Sequence, residues 1–270
     1  MATDGGIHVR LKDKVALVTG GGRGIGRDIA LAYAREGAHV VVNDVDPATA
    51  AATAKDAAAF GSKSLSVVGD VAKSADITHL VDTIIKERGR IDIVVNNAMK
   101  IVPGKLEALP EAAWDTTVNI GLKGAFLVSQ AAAKHMIAQK SGAIVNIASI
   151  AGHRGWPTHS YACSKAAVLS LTRGLAVEWG RSGIRVNSVS PGFTLTPKLE
   201  ILIRERGWDD SKVAGQTALG RWVRPDEIAD AVEFLLSDRA SAITGADLPV
   251  DTGWLCGVNW LAFDGIPASR

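Results

Sequence analysis

Short runs of Val and Ile alternate along the chain with longer stretches in which apolar residues return every three or four positions. The runs at 15–19, 39–45, 64–69, 91–96, 143–148, 185–189 and 246–250 predict seven strands. Several are apolar on both faces, as parallel strands buried between two layers are. Segments 24–36, 47–60, 74–88, 110–139, 161–180 and 225–237 have helical length and period. Pro47, Pro110 and Pro225 suit first-turn positions of their helices, and Asp46 suits the cap ahead of the second. Strand–helix alternation from end to end predicts an α/β fold: a doubly wound, seven-stranded, mostly parallel sheet with helices on both faces. No Pro/Gly/Ser linker divides residues 1–270, which read as one domain. The stretch 194–220 lengthens one crossover and carries Pro197, Gly207, Gly215 and Gly220, so a mobile lid is expected there. The tail, 252–270, holds Trp254, Leu255, Trp260, Leu261 and Phe263. That much apolar area predicts burial, either against a partner subunit or back over its own.

Composition narrows the class. A formal net charge of +2 without any Lys/Arg cluster of five argues against nucleic-acid and anionic-membrane partners. No run of eighteen apolar residues exists, and residues 1–8 lack an apolar signal core, so a cytoplasmic location is expected. Cys163 and Cys256 are far apart and show no metal-ligand spacing, so no metal is expected. Trp208 and Trp222 are expected to anchor the lid.

The first strand runs into Thr19-Gly20-Gly21-Gly22-Arg23-Gly24-Ile25-Gly26, and a helix follows at once. Glycines there let a pyrophosphate approach backbone N–H groups at a helix N-terminus, in the Rossmann manner. Asp44 ends the second strand, where a carboxylate accepts from the adenosine ribose hydroxyls and repels a 2′-phosphate. This favours NAD over NADP. Arg23 is the counterweight, because a guanidinium could pair with that phosphate.

Tyr161 and Lys165 are four residues apart on a predicted helix and therefore share a face. Ser149 lies upstream, at the end of a strand. A free phenol is a poor base at neutral pH, and a nearby ammonium favours the phenolate. The expectation is that Lys165 lowers the Tyr161 pKa. Alone, such a pair also reads as two surface residues on an amphipathic helix.

With these residues in order, the chain resembles the short-chain dehydrogenase/reductase family over about 14–251. The glycine loop is similar to the family's TGxxxGIG, with Gly20, Arg23, Gly24, Ile25 and Gly26 about the cofactor. The resemblance implies that Asp70 binds adenine by its side chain and Val71 by its backbone. It places Asn97, of Asn96-Asn97-Ala98, near the cofactor ribose, and Gly192, Thr194 and Thr196 at the nicotinamide carboxamide. It implies a tetrad of Asn119, Ser149, Tyr161 and Lys165, with Lys165 also on the nicotinamide ribose and Asn119 holding a water that links Lys165 to solvent. Tyr161 would exchange the substrate's hydroxyl proton while Ser149 orients the substrate oxygen. Family members are commonly tetramers, so a homo-oligomer, tetramer or dimer, is implied.

One departure from the family pattern is Met99, which stands where NNAG has glycine. It either narrows the floor of the active site or marks a shifted loop. A smaller one is Asp251-Thr252-Gly253, where two glycines are frequent. Substrate contacts are expected from Met99, Ser149, His153, Trp156, Tyr161 and Phe193. The small-molecule substrate reads as a secondary alcohol: a polyol, a sugar or an alicyclic alcohol, oxidised with NAD. The alternatives are a ketone or 3-oxoacyl reductase and, from another class, a catalytically silent NAD-binding sensor or scaffold.

Overall fold

The structure is a computed structural model that describes residues 11–257 except Trp208. Seven strands form one sheet: β1 (Val15–Thr19), β2 (His39–Asp44), β3 (Leu65–Val68), β4 (Ile93–Asn96), β5 (Gly142–Ile147), β6 (Ile184–Pro191) and β7 (Asp247–Val250). Their order is β3-β2-β1-β4-β5-β6-β7, and every pairing is parallel. β1 sits centrally, with Leu17 opposite Val41 on one side and Val94 on the other. The chain therefore reverses its winding at β1, and the crevice beyond the carboxyl ends of β1 and β4 is where a ligand settles in such a sheet.

Helices α1 (Gly24–Arg35), α2 (Pro47–Ala58), α3 (Ser74–Arg88), α4 (Glu111–Val118), α5 (Gly124–Gln139), α6 (His159–Trp179) and α9 (Pro225–Leu236) complete the layers, while α7 (Pro197–Arg206) and α8 (Ser211–Ala214) build the segment before α9. Alternate residues of each strand feed opposite cores, as a period of two requires. Ala16 and Val18 join Ile29, Tyr33, Val232 and Leu236 on one face. Val15 and Leu17 join Leu80, Ile84, Val128 and Met136 on the other. Each fully buried Val, Leu or Ile contributes about 1.5–3 kcal/mol.

The seven predicted strands form within a residue or two of their expected bounds. The second helix starts as its sequence suggests: Asp46 accepts from the N–H groups of Ala48 and Thr49, with Pro47 behind it. Segment 110–139 differs. Pro110 is the cap residue outside α4, and the expected single helix is interrupted by a π-turn at Asn119–Lys123. Two close approaches accompany the extra residue. A Cβ on Gly124 would lie 2.7 Å from Val71 Cγ2, and a Cβ on Gly121 would collide with the Met99 thioether. Among the described residues, no helix is long and apolar enough to cross a membrane.

Candidate active site

A cavity of about 1180 Å3 opens at the carboxyl ends of the central strands. Drug-sized sites occupy roughly 300–1,000 Å3, so this one has room for a dinucleotide and a small substrate together. One half is lined by the turn after β1. Gly20 has φ +61, and a Cβ there would lie 2.8 Å from Ala98 Cα; a Cβ on Gly26 would collide with Gly20 O and Asn97 Nδ2. Asn97 closes this wall by donating from Nδ2 to the carbonyls of Thr19 and Gly20, 3.0 Å each. The result is a bare backbone cradle at the N-terminus of α1, of the shape and polarity that a pyrophosphate fits.

Asp44 lies beside the cradle, 7% exposed, with Oδ2 accepting from Gly22 N–H at 3.0 Å. Its carboxylate lines the cavity, as do Arg23, Ile25, Asp70 and Val71. Asp70 Oδ1 accepts from Ala72 N–H, and Asp70 N–H donates to Asp76, so the turn after β3 is fixed against the cavity. These residues fit a dinucleotide: glycine backbone for the phosphates, and a carboxylate where the adenosine ribose would lie. Gly24 opens α1 with φ +55 but is outside the cavity lining.

Ser149, Tyr161 and Lys165 meet deeper in the cavity. Ser149 follows β5, and its hydroxyl caps the next turn by accepting from Ala151 N–H at 3.2 Å. Tyr161 and Lys165 come from the first turns of α6. Buried side-chain hydrogen bonds register these elements. Asn96 on β4 donates to Asn146 on β5 at 2.8 Å, and Asn146 donates to Thr172 on α6 at 2.9 Å. Tyr161 is hydrogen-bonded to Ser149. Lys165, 3% exposed, donates from Nζ to Ile147 O and stands 5.7 Å from the Tyr161 ring centroid.

The electrostatics differ from the expectation that Lys165 lowers the Tyr161 pKa. Burial pushes the phenol above its ordinary value, and the bond to Ser149 is what pulls it back. Burial also brings Lys165 down to about 8. Its ammonium is directed at a strand carbonyl and is itself short of solvation. Near neutrality both groups are protonated.

The remaining wall is aromatic. Trp156, Phe193 and Trp222 line it, and Met99 and Ile101 line the same cavity. Gly192 and Thr194 lie at the floor, and Thr194 Oγ1 donates to Gly192 O. Thr196 also lines the cavity, and its hydroxyl caps α7 by accepting from Leu199 N–H.

Known proteins resemble the chain over most of its length. A family model described as enoyl-(acyl carrier protein) reductase matches residues 20–255. D-threitol dehydrogenase of Mycolicibacterium smegmatis is 40% identical over 249 residues, covering 91% of this chain and 94% of that protein. Cis-4-hydroxycyclohexanecarboxylate dehydrogenase of Sinomonas cyclohexanicum is 40% identical over 246 residues, covering 90% of this chain and 96% of that protein. A solved structure, a putative short-chain dehydrogenase/reductase from Burkholderia xenovorans, superimposes with a TM-score of 0.87 at 37% identity, covering 92% of this chain and 99% of that one. The chain belongs to the short-chain dehydrogenase/reductase family.

Of the residues expected at the substrate, His153 alone falls outside the cavity lining, and the π-turn sets the neighbourhood of Asn119 and Met99. Asn119 begins the π-turn and is not among the cavity-lining residues. The turn instead presents Ile120 to the cavity and Gly121 to Met99. His153 also stays outside the lining. Its Nε2 lies 3.1 Å from Ser190 Oγ and 3.0 Å from Asp247 Oδ2, so the ring is drawn to the β6–β7 edge of the sheet by two polar partners. Met99 does line the cavity, and its thioether packs over Gly121.

Two aromatic contributors are not assigned to the site by the sequence. Trp222 was expected as a lid anchor, and it is also cavity wall; its Nε1 donates to Asp210 O. Trp254 folds back over its own subunit, with ring centroids 5.6 Å from Trp156 and 6.2 Å from Phe193. The sequence signal was its apolar neighbourhood alone, which names no partner. Trp260, Leu261 and Phe263, like Trp208, lie outside the described residues.

Proposed function

We propose that this enzyme moves a hydride between a secondary alcohol and NAD, with Tyr161 as acid and base. The observation that carries the reading is the convergence of Tyr161, Ser149 and Lys165 in one cavity with a glycine cradle and Asp44. Ser149 Oγ holds the substrate oxygen. Tyr161 Oη takes the hydroxyl proton during oxidation and returns it during reduction. Lys165 holds a positive charge beside the phenol and, turned from Ile147 O, would reach the nicotinamide ribose. NAD, when bound, accepts the hydride at its nicotinamide ring. Gly20, Gly26, Arg23 and Ile25 would bind the phosphates, Asp44 the adenosine ribose, Asp70 and Val71 the adenine, and Asn97, Gly192, Thr194 and Thr196 the nicotinamide side. Asn119, at the start of the π-turn, would hold the water that links Lys165 to solvent. Residues 1–270 act as one catalytic domain, assembled as a homo-oligomer.

One observation favours the reductive direction as a second reading. A phenol held protonated by burial is ready to give a proton to a carbonyl. The pH dependence separates the directions. Oxidation needs the phenolate, so its kcat/KM rises toward alkaline pH; reduction needs the phenol and falls over the same range. The direct test mixes enzyme with NAD or NADP and a panel of secondary alcohols and follows reduced-nicotinamide absorbance. The proposal expects turnover with NAD. Turnover confined to NADPH-driven ketone reduction would overturn both the cofactor and the direction.

A further inference from the structure

The part of the cavity left over once the cradle and the proton-handling groups are set aside is apolar nearly throughout. Trp156 and Phe193 stand 5.5 Å apart, tilted at 43°, and Trp222 meets Phe193 edge-on at 5.8 Å. Trp254 backs both Trp156 and Phe193. Arg154 fixes Trp254 in turn, lying 5.6 Å over its ring while donating to Leu255 O. The same cavity is lined by Met99, seated on Gly121, and Ile101, and helix α7 adds Leu199 and Ile203. The charged side chains here, Lys100, Asp209 and Asp210, are exposed ones at the rim. His153, which could have met a second hydroxyl, is engaged by Ser190 and Asp247.

We infer that the substrate is a secondary alcohol carried on an apolar ring, alicyclic or aryl-bearing, with the ring held between Met99 and the Trp156–Phe193–Trp222 wall. This rests on the reading of Tyr161 and Ser149 as the groups that hold the carbinol oxygen. Those two supply polar contacts for one oxygen, with Thr158 nearby. A polyol would bring further hydroxyls against indole, phenyl and thioether surfaces, and each would lose its water without gaining a partner. A ring with no other polar groups loses nothing there. Aromatic faces and a polarisable sulfur gain contact with it.

The test compares NAD-coupled oxidation of cyclohexanol and glycerol by the full chain, and titrates both alcohols against intrinsic tryptophan fluorescence. The expected result is a kcat/KM for cyclohexanol about 100-fold above that for glycerol, within the range that apolar pockets achieve. Trp156→Ala should cut that ratio about tenfold by raising KM for cyclohexanol, and Phe193→Ala serves as the second variant should the first fail to fold. Equal turnover, or a preference for glycerol, would overturn the inference. If neither alcohol is oxidised but cyclohexanol alone perturbs the tryptophan signal saturably, the ring site stands and the reading of Tyr161 falls. If neither alcohol is oxidised or bound, the inference falls.

Discussion

Lys165 carries the largest internal cost of the site. Its ammonium is buried, and burial lowers its pKa from 10.5 to about 8. At 1.36 kcal/mol per pH unit, the charged form costs the cofactor-free fold about 3 kcal/mol below pH 8. The folded pKa lies below the unfolded one, so the unfolded state binds more protons between those values, and wild-type stability rises with pH from about 8 to about 10.5. Lys165→Met should therefore melt no lower than wild type at pH 7, and wild type should gain on it as pH climbs through that window. Calorimetry across pH checks this, and turnover of the variant should fall by about 10²–10⁴. Asp44 makes a second prediction. Asp44→Ala should weaken NAD binding about tenfold and narrow the gap to NADP, read by fluorescence titration. Tyr161, Lys165, Ser149 and Asp44 were legible in the sequence because helix periodicity and strand ends fix where such residues point. His153 was not. Its partners Ser190 and Asp247 are 37 and 94 residues away, and nothing local to residue 153 names them.

Among the elements, the lid and the π-turn decide the shape of the cavity. The lid returns to the sheet through Arg221 and Thr252. Arg221 makes a two-pronged pair with Glu227 at 2.8 and 2.9 Å, and Thr252 Oγ1 donates to Arg221 O. The Arg221 guanidinium holds Glu227 at about 2, well below the usual carboxylate range. A depressed carboxylate stabilises the fold above its ordinary value near 4.5 and loses that contribution as pH falls toward 2. Arg221→Ala should lower Tm by a few degrees at neutral pH, raise the substrate KM by loosening α7 and α8, and lose its Tm deficit in acid. Melting curves at several pH values read all but the KM. Thr252 has φ +55, a left-handed conformation that strains a β-branched residue. Glycine would suit the same position, so Thr252 is the strained choice where two glycines are frequent, and nothing in the structure explains it. A lengthened crossover at 194–220 could be read from its prolines and glycines, and α7 and α8 fill it. The break at 119–123 could not, because residues 110–139 keep a helical rhythm through it. Only the packing of Met99 and Val71 against Gly121 and Gly124 distinguishes that turn.

At the scale of the whole molecule, the strand order places everything else. Because β1 separates β2 from β4, one crevice receives the glycine turn, the ends of β2 and β3, the loop after β5 and the start of α6. The alternation of buried strands and helices was enough to anticipate that sheet, since a parallel sheet needs apolar runs covered on both sides. It could not supply the aromatic wall, which joins residues from the loop after β5, the end of β6, the segment before α9 and the chain beyond β7. Hydride transfer in this crevice, as proposed, requires Tyr161 to move the proton. The most direct measurement is turnover by Tyr161→Phe, with NAD affinity and Tm measured on the same preparation. The expected result is a loss of about 10²–10⁴ in kcat with NAD binding and melting preserved. Turnover surviving at the wild-type rate in a folded, NAD-binding variant would contradict it.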